Sequence, residues 1–178
     1  MIFCHVAVTT VDDYATRREP FRRAHLDRLM ALRGGGIVIG GGPAPDGTTA
    51  DVFYRAPGER EAASLVDDDP YMKGGVWARY ALTAFSHFLE PWQLPPLVTD
   101  GSRLATIVEG SAPDVDMASF GLIEARGAGR MAFGGFFPDG RTLALMRSAD
   151  PAEAVGWLAD MGLWTAGTLT ARPLLYVL

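Results

Sequence analysis

His25 is the side chain of this sequence best placed for acid–base chemistry. It follows Arg22 by three residues and precedes Leu29 by four, which brings the three side chains to one side of a predicted helix. Leu29 belongs to the apolar stripe of that helix, whereas Arg22 is charged. The spacing therefore places His25 where a buried helix face meets a polar edge.

Asp69 is the carboxylate that we expect to pair with this histidine. Ala62, Leu65 and Val66 mark the apolar face of a second predicted helix, and Asp69 is the next residue at the same spacing. Pro70 is expected to end this helix directly after it. A carboxylate at the C-terminal end of a helix meets an unfavourable dipole, which suggests that a cation or an imidazole lies beside it.

A His–Asp pair of this kind can transfer protons on a small molecule. The carboxylate accepts one imidazole N–H, fixes the tautomer and raises the basicity of the other ring nitrogen. Arg22 could hold a carboxylate or enolate oxygen of the same molecule. The spacing is also compatible with an ordinary structural ion pair and a helix that ends at Asp69-Pro70.

The other candidates for chemistry have weaker patterns. His5 and His87 follow no metal-ligand spacing and are interpreted as structural or solvated, so no metal site is expected. Cys4 lies in a predicted strand without a nearby base, and there is no Gly-x-Ser-x-Gly motif, which argues against a cysteine or serine hydrolase. The three aspartates at positions 67–69 are interpreted as a solvated helix end.

A glycine-rich segment, Gly40-Gly41-Gly42-Pro43, follows the second predicted strand. No helix opens directly after it and no Lys-Ser or Lys-Thr follows, so it does not match a phosphate-binding P-loop. It is better explained as a strand end where the backbone passes close to another group. Its amides could also bind an anion.

Composition limits the class of protein. The 178 residues carry 21 acidic and 16 basic side chains, a formal charge of −5, and 48% of them are hydrophobic. This length suits one large or two small globular domains, and the negative charge argues against nucleic acid as a partner. The single cysteine excludes an internal disulfide framework. No run is apolar enough for a membrane span or a signal-peptide core, so a cytoplasmic protein without membrane contact is expected.

Three prolines within residues 91–96 predict a stiff connector between two halves. The expected organisation is a first domain at 1–91, a linker at 92–101 and a second domain at 102–178. The halves match when residues 29–85 are displaced by 93 positions without a gap. Gly41-Gly42 then falls on Gly134-Gly135, and a Pro-Asp-Gly turn falls on a second one. Such an internal repeat predicts a duplicated topology.

Each half predicts the element order β-α-β-β-α-β. In the first half we expect strands at 2–8, 37–39, 51–55 and 77–85, and helices at 17–32 and 59–68. The second half is expected to repeat this order with a shorter first helix at 116–125. Two such units are ferredoxin-like α+β folds, each with one sheet face free of helices. We therefore expect an intrachain pseudo-dimeric α/β barrel, with Pro173 in an edge strand.

The motifs together resemble the YciI-like, or YCII-related, family. The family pattern has Arg-x-x-His-Leu near the start of the first helix, Gly-Pro after the second strand, and Asp-Pro-Tyr or Asp-Pro-Phe after the second helix. The resemblance covers about residues 1–90. The matching segments are Arg22-Arg23-Ala24-His25-Leu26, Gly41-Gly42-Pro43, Asp69-Pro70-Tyr71 and Gly75-Val76-Trp77.

The resemblance implies a ferredoxin-like fold that pairs into a dimeric α/β barrel. It also implies an active-site dyad at His25 and Asp69, with Arg22 as the family's arginine. Some relatives are dehydrochlorinases, and muconolactone isomerases share the barrel architecture; both transfer protons on small ring compounds without a metal or organic cofactor. Members normally form homodimers, so this chain is expected to be a monomeric pseudo-dimer or a homodimer of it.

The second half departs from the family pattern. A displacement by 93 residues puts Ala118 at the position of His25 and Gly162 at the position of Asp69, and neither can exchange a proton. We therefore expect a degenerate second repeat and one reactive pocket per chain. The equivalent cavity of the second repeat is expected to be filled or apolar. The candidates to fill it are Phe133, Phe136 and Phe137.

The leading hypothesis is a cofactor-independent lyase or isomerase that acts on a small anionic or phenolic molecule. His25 would be the general acid or base, Asp69 would orient it, and Arg22 would bind an oxyanion. The expected substrate contacts are Gly42, Pro43 and Tyr71. Two alternatives remain open: a small-ligand-binding or accessory module without turnover, and a cofactor-free oxygenase.

Overall fold

The computed structural model describes all 178 residues. It contains two antiparallel sheets, of four and five strands, whose apolar side chains alternate along the strands. The chain forms two units, each with its own sheet. The first comprises Met1–Ala84, Leu94–Thr99 and Tyr176–Leu178, and the second comprises Phe85–Gln93 and Asp100–Leu175. No helix in either unit is both long enough and apolar enough to cross a membrane.

The first unit has the strand order β2-β3-β1-β4 with antiparallel neighbours, which is the ferredoxin-like topology. Its elements are β1 (Ile2–Thr10), α1 (Tyr14–Arg17), α2 (Arg22–Gly34), β2 (Val38–Pro43), β3 (Thr49–Ala56), α3 (Glu59–Asp67), α4 (Pro70–Lys73) and β4 (Trp77–Ala84).

The second unit has the order β5-β7-β8-β6-β9, which is the same topology with one strand added at an edge. Its elements are β5 (His87–Leu89), β6 (Leu104–Ser111), α5 (Val115–Gly127), β7 (Met131–Phe136), β8 (Arg141–Met146), α6 (Pro151–Ala159) and β9 (Thr170–Leu175). The expectation of two ferredoxin-like α+β units is confirmed. β9 is an edge strand, as predicted from Pro173, which has no N–H to donate to a second neighbour.

Each sheet packs its helices against one face. In the first unit, Val6 and Val52 point to the helix side and pack with Leu29 of α2 and Val66 of α3. In the second unit, Val108, Ala144 and Met146 pack with α5 and α6 in the same way. Because successive strand residues point to opposite faces, His5 and its alternate neighbours lie on the face away from the helices.

The unit boundaries differ from the expected domains at 1–91 and 102–178. β5 pairs with β7, which places residues 85–93 in the second unit. In the first unit, the Val98 N–H donates to the Val177 carbonyl, and the Val177 and Leu178 N–H groups donate to the Gly41 carbonyl. The β2 edge of one sheet and the β7 edge of the other are thus each covered by a further segment, because unpaired edges leave backbone groups without partners.

The ungapped repeat does not describe the observed strand pairing. Gly41 pairs with Val52, whereas Gly134 pairs with Ala144. Gly134 follows Gly41 by 93 positions, whereas Ala144 follows Val52 by 92. The turn between β7 and β8 is therefore one residue shorter than the turn between β2 and β3. The same displacement of 92 relates the first residues of α3 and α6.

Three predicted features differ from the structure. The helix expected at 17–32 is two helices, α1 and α2, which are separated at residues 18–21 around Pro20. The glycine segment at 40–43 lies inside β2 and not after it, because these residues pair with β3. The first helices of the two units, α2 and α5, have equal lengths of 13 residues.

Gly41 is required by a close backbone approach. It has a φ of 141°, and a Cβ built there would lie 2.3 Å from the Asp51 carbonyl oxygen. Gly36 also has a positive φ, of 70°, but no atom lies within 4 Å of its Cβ position. A side chain at position 36 would therefore meet backbone strain alone, whereas one at position 41 would meet both backbone strain and steric overlap.

We predict that Gly41→Ala lowers the free energy of unfolding by about 3 kcal/mol or more, since strain and overlap add. Gly36→Ala should cost only about 1–2 kcal/mol, the penalty of the left-handed conformation alone. Urea unfolding of both variants checks this. Equal midpoints for the two would contradict the packing described around Gly41.

Candidate active site

His25 lies on the buried side of α2, in the first turns of the helix. The residue is 7% exposed, and its Nδ1 atom is 2.7 Å from Oδ1 of Asp69. This separation is within the hydrogen-bond distance that the sequence analysis expects for the pair. The Nε2 atom makes no hydrogen bond within the protein and is not fully shielded from solvent. One ring nitrogen is therefore held, and the other faces outward.

Asp69 is positioned by a helix start and not, as expected, by a helix end. α3 ends at Asp67, and Asp69 is the N-cap of α4, whose first residue is Pro70. The Oδ1 atom of Asp69 accepts the Tyr71 backbone N–H at 2.8 Å. Asp-Pro is a common start of a helix, because aspartate caps free N–H groups and proline has none to satisfy. The sequence analysis read the same two residues as a stop.

The hydrogen bonds of Asp69 determine the histidine tautomer. An ionised carboxylate only accepts hydrogen bonds, so the short contact requires the proton on Nδ1 of His25. In the neutral ring, the lone pair is then on Nε2. Asp69 is completely buried, and its Oδ2 atom has no partner. Its charge therefore depends on the two donors at Oδ1, because an isolated buried carboxylate is costly.

Tyr54 of β3 lies near this carboxylate at the floor of the site. Its hydroxyl is buried and has no hydrogen-bond partner. Burial raises the pKa of Tyr54 first, the charge of Asp69 raises it further, and Arg28 opposes the shift. Tyr54 thus remains a neutral phenol beside the dyad.

Aromatic rings fix the plane of the His25 imidazole. Tyr71 stacks on it with ring centres 3.8 Å apart and an angle of 9°. Trp77, the first residue of β4, meets it edge-on at 5.4 Å. Tyr71 of α4 thus donates its backbone N–H to Asp69 and stacks its ring on His25, which ties both members of the dyad to one segment.

Two arginines and a second tyrosine surround the Tyr71 hydroxyl. Tyr14 of α1 meets the Tyr71 ring edge-on at 6.3 Å, and the guanidinium of Arg18 lies 5.1 Å from the Tyr14 ring centre. Burial, and then Tyr14, raise the pKa of Tyr71, while Arg18 and Arg22 lower it. Tyr71 is therefore a hydrogen-bond donor near two cationic groups.

Arg22 is half-buried and forms no hydrogen bond or ion pair within the protein. It lies in the first turn of α2, three residues before His25. It lines an open groove of about 440 Å³ together with Leu26 and the acidic Glu19 and Asp27, and no member of the dyad lines this groove. Because Arg22 has no ion-pair partner, it can bind an anion.

The structure separates Gly42 from the other expected contacts. Gly42 pairs with Asp51 in the strand ladder, so it lies on the sheet face away from His25. Pro43 is the last residue of β2, opposite Ala50, and is half-buried. Of the six expected site residues, four come together: Arg22, His25, Asp69 and Tyr71.

Residues 1–86 match the family model of the YCII-related domain. The match covers just under half of the chain. No match was found among curated proteins. The dyad, Tyr71 and Arg22 all lie within the matched residues.

Solved structures extend the comparison to the fold. A 5-chloro-2-hydroxyhydroquinone dehydrochlorinase from Burkholderia phenoliruptrix AC1100, solved with 2,5-dihydroxybenzoquinone, is 23% identical. The match covers 49% of this chain and 95% of that one, with a TM-score of 0.43. A monooxygenase-like protein from Lactobacillus acidophilus NCFM is 11% identical over 99% and 94% of the two chains, with a TM-score of 0.59.

A heme-binding protein from Thermus thermophilus is also 11% identical, with a TM-score of 0.57 over 98% of this chain and 90% of that one. At 11% identity, the two matches with TM-scores of 0.59 and 0.57 show a shared α+β fold alone. The function of the YCII-related domain has to be argued from its site.

The second unit lacks the dyad that the YCII-related domain carries. Ala118 has the position in α5 that His25 has in α2. Met161 follows α6 in the turn where Asp69 follows α3, so Met161, and not Gly162, replaces the carboxylate. Neither residue can exchange a proton.

Apolar side chains close this region of the second unit. A Cβ on Gly121 of α5 would lie 2.7 Å from the Leu163 side chain and 3.3 Å from both Met161 and Trp164. The Trp164 indole N–H donates to Thr142 at 2.8 Å. The region is filled, as expected, but largely by other residues. Of the three expected phenylalanines, only Phe136 joins the helix-side core.

One further polar pair in the YCII-related domain was missed by the sequence analysis. His5 Nε2 and Asp51 Oδ1 are 2.6 Å apart and buried. The two residues are 46 positions apart and meet only through the β1–β3 register, so no local spacing indicates the pair. Burial raises the pKa of Cys4, next to His5, to about 11, which keeps it a thiol. No group of three or more His, Cys, Asp or Glu side chains could hold a metal ion.

We predict that Asp69→Ala lowers the free energy of unfolding by about 2–4 kcal/mol, because it leaves two buried donors without an acceptor. Asp69→Asn keeps the cap on Tyr71 and should cost less. Asp68→Ala is the matched control, since its ion pair with Lys73 is exposed and contributes little to stability. Urea unfolding midpoints measure all three, and equal midpoints for the two alanine variants would contradict the account.

Proposed function

We propose that this chain is a cofactor-independent lyase or isomerase that moves a proton on a small anionic or phenolic molecule. The observation that carries the proposal is the dyad: Nδ1 of His25 is bonded to a buried carboxylate, and Nε2 is left unbonded. This is the arrangement that a general base requires, because one nitrogen is fixed and the other can take a proton.

The residues around His25 support a negatively charged substrate. Tyr71 and Trp77 are buried against the His25 ring and hold its plane. Arg22 supplies an unpaired cation three residues away on α2, and Tyr71 supplies a hydroxyl donor. A hydroxylated ring or a lactone with a carboxylate offers matching groups.

The proposed reaction starts with removal of a proton from an acidic C–H by Nε2 of His25. The electron pair left on carbon delocalises onto the substrate oxygen, which Arg22 stabilises as an enolate or phenolate. The imidazolium is stabilised by Asp69. In an isomerisation, His25 then returns the proton to another carbon. In an elimination, the electron pair of the enolate forms a new C=C bond, the halide departs with the electrons of the C–halogen bond, and His25 releases its proton to solvent.

We further propose that the second unit is a degenerate copy of the YCII-related domain. Its strands β7-β8-β6-β9 have the same order as the four strands of the first sheet, and apolar residues replace the dyad. On this proposal, one His25-type reactive site exists per chain.

Proton transfer is testable by deuterium exchange. A panel of substituted hydroquinones and unsaturated lactones is incubated with the protein in D₂O and followed by proton NMR, with chloride release measured for chlorinated members. We expect exchange or turnover with at least one member, and His25→Gln should lower the rate by about 10²–10⁴-fold, the usual contribution of a general base. His87→Gln, at an exposed histidine, is the control.

The alternatives give different results in the same assay. Binding of panel members without exchange, unchanged by His25→Gln, indicates a ligand-binding module. Oxygen consumption during turnover indicates a cofactor-free oxygenase. Exchange that His25→Gln and His87→Gln leave equally fast would rule out His25 as the base.

A further inference from the structure

Three buried polar atoms in the helix-side core of the first unit have no hydrogen-bond partner. They are the hydroxyl of Tyr54 in β3, Oδ2 of Asp69 and Nε of Arg28 in α2. Tyr54 and Asp69 are completely buried. Buried polar groups are almost always paired, because an unpaired one loses its hydrogen bonds to water without replacement. Three such atoms in one region therefore call for an explanation.

Contacts and charges place these three groups near one another. Arg28 donates from its Nη2 to the Leu65 carbonyl, two residues before α3 ends, at 3.0 Å. Tyr54 packs in the same core cluster as Leu29, the next residue of α2. Burial is the main cause that raises the pKa of Tyr54, and the charges of Asp69 and Arg28 also shift it, upward and downward respectively. Both charged groups therefore lie near the phenol.

The three atoms are complementary as donors and acceptors. A carboxylate oxygen only accepts hydrogen bonds, a guanidinium Nε–H only donates, and a phenol hydroxyl does both. Because Tyr54 is a neutral phenol, its hydrogen is available to Oδ2 of Asp69 and its oxygen to Nε of Arg28. A single chain from Arg28 through Tyr54 to Asp69 gives each of these atoms a partner.

The second unit lacks these polar groups as well as the dyad. Strand register puts Met146 of β8 at the position of Tyr54, and the matching helices put Gly121 of α5 at the position of Arg28. Met146 is completely buried. Neither residue has a side chain that can donate a hydrogen bond. Tyr54 and Arg28 are thus present in the unit with the dyad and replaced in the unit without it, which associates them with the dyad and not with the topology.

We propose that Tyr54 is a positioning residue of the dyad. Its hydroxyl donates to Oδ2 of Asp69 and accepts from Nε of Arg28, each directly or through one buried water. Asp69 then has three donors, two at Oδ1 and one at Oδ2, which together keep the buried carboxylate ionised. The ionised carboxylate in turn holds the proton on Nδ1 of His25. The role of Tyr54 in catalysis rests on the proposed function of His25, whereas the hydrogen bonds form with or without turnover.

The sign of the stability change on removal of the Tyr54 hydroxyl tests this proposal in the full chain. Tyr54→Phe changes the side-chain volume little, and we expect its urea unfolding midpoint to fall because Oδ2 of Asp69 loses its donor. A hydroxyl without a partner predicts the opposite, since removal of an unsatisfied buried group leaves the midpoint unchanged or raises it. A midpoint that does not fall would overturn the proposal.

A double-mutant cycle assigns the effect to Asp69. In an Asp69→Ala background, Tyr54→Phe should no longer lower the midpoint, because the acceptor is already gone. The matched control is Tyr80→Phe, which removes a hydroxyl that donates to Asp67 at 3.0 Å near the surface. This control should change the midpoint little in either background. An equal fall for Tyr54→Phe in both backgrounds would show that its hydroxyl acts elsewhere and would refute the proposal.

The His25 ring provides a readout that a loss of packing alone does not move, and it decides the question if Asp69→Ala fails to fold. With ¹⁵N-labelled histidine, the Nδ1–H proton of His25 should move to lower field in Tyr54→Phe. Hydrogen bonds polarise the groups they join, and a carboxylate with one donor fewer attracts this proton more strongly. Tyr80→Phe should leave the signal in place. A signal that Tyr54→Phe also leaves in place would contradict the proposal. Neither measurement uses a substrate, so its failure is distinguishable from a failure of the proposed function.

Discussion

The Oδ1 atom of Asp69 accepts hydrogen bonds from the His25 ring and from the Tyr71 backbone, and the geometry of the site depends on these two contacts. The carboxylate is completely buried, so each lost donor would leave part of its charge uncompensated. These two hydrogen bonds hold α2, α4 and the turn after α3 together. This single acceptor therefore sets the ring plane and the tautomer of His25 and the position of the stacked Tyr71.

The two units show what the shared topology requires and what it does not. In the second unit, Ala118 and Met161 stand at the positions of the dyad, and Ile107 and Leu143 at the positions of the buried pair in the sheet. All four are apolar, yet the order of the four shared strands is unchanged. Both polar pairs of the first unit are therefore additions to a fold that forms without them. Burying these ionisable groups costs stability, a cost that the apolar residues of the second unit do not carry.

Sequence reasoning identifies the dyad because helical spacing is local: His25 and Asp69 each continue an apolar stripe. It misreads Asp69-Pro70 as a helix end, since the same two residues both stop one helix and start another. His5 and Asp51 lie outside its reach because they meet only through strand register. The duplicated topology is visible in the glycine turns. The one-residue difference in displacement is not visible, because it comes from a single residue deleted in a turn. An alignment without this deletion assigns each residue of β8 to the wrong face of the sheet.

The central claim is that Asp69 fixes His25 with the proton on Nδ1 and the lone pair on Nε2. The most direct test is the ¹⁵N spectrum of the His25 ring in the neutral state, assigned by comparison with His25→Gln. The account predicts a protonated Nδ1 and an unprotonated Nε2, and a loss of this preference in Asp69→Asn. A spectrum with the proton on Nε2, or a preference that Asp69→Asn leaves unchanged, would contradict it.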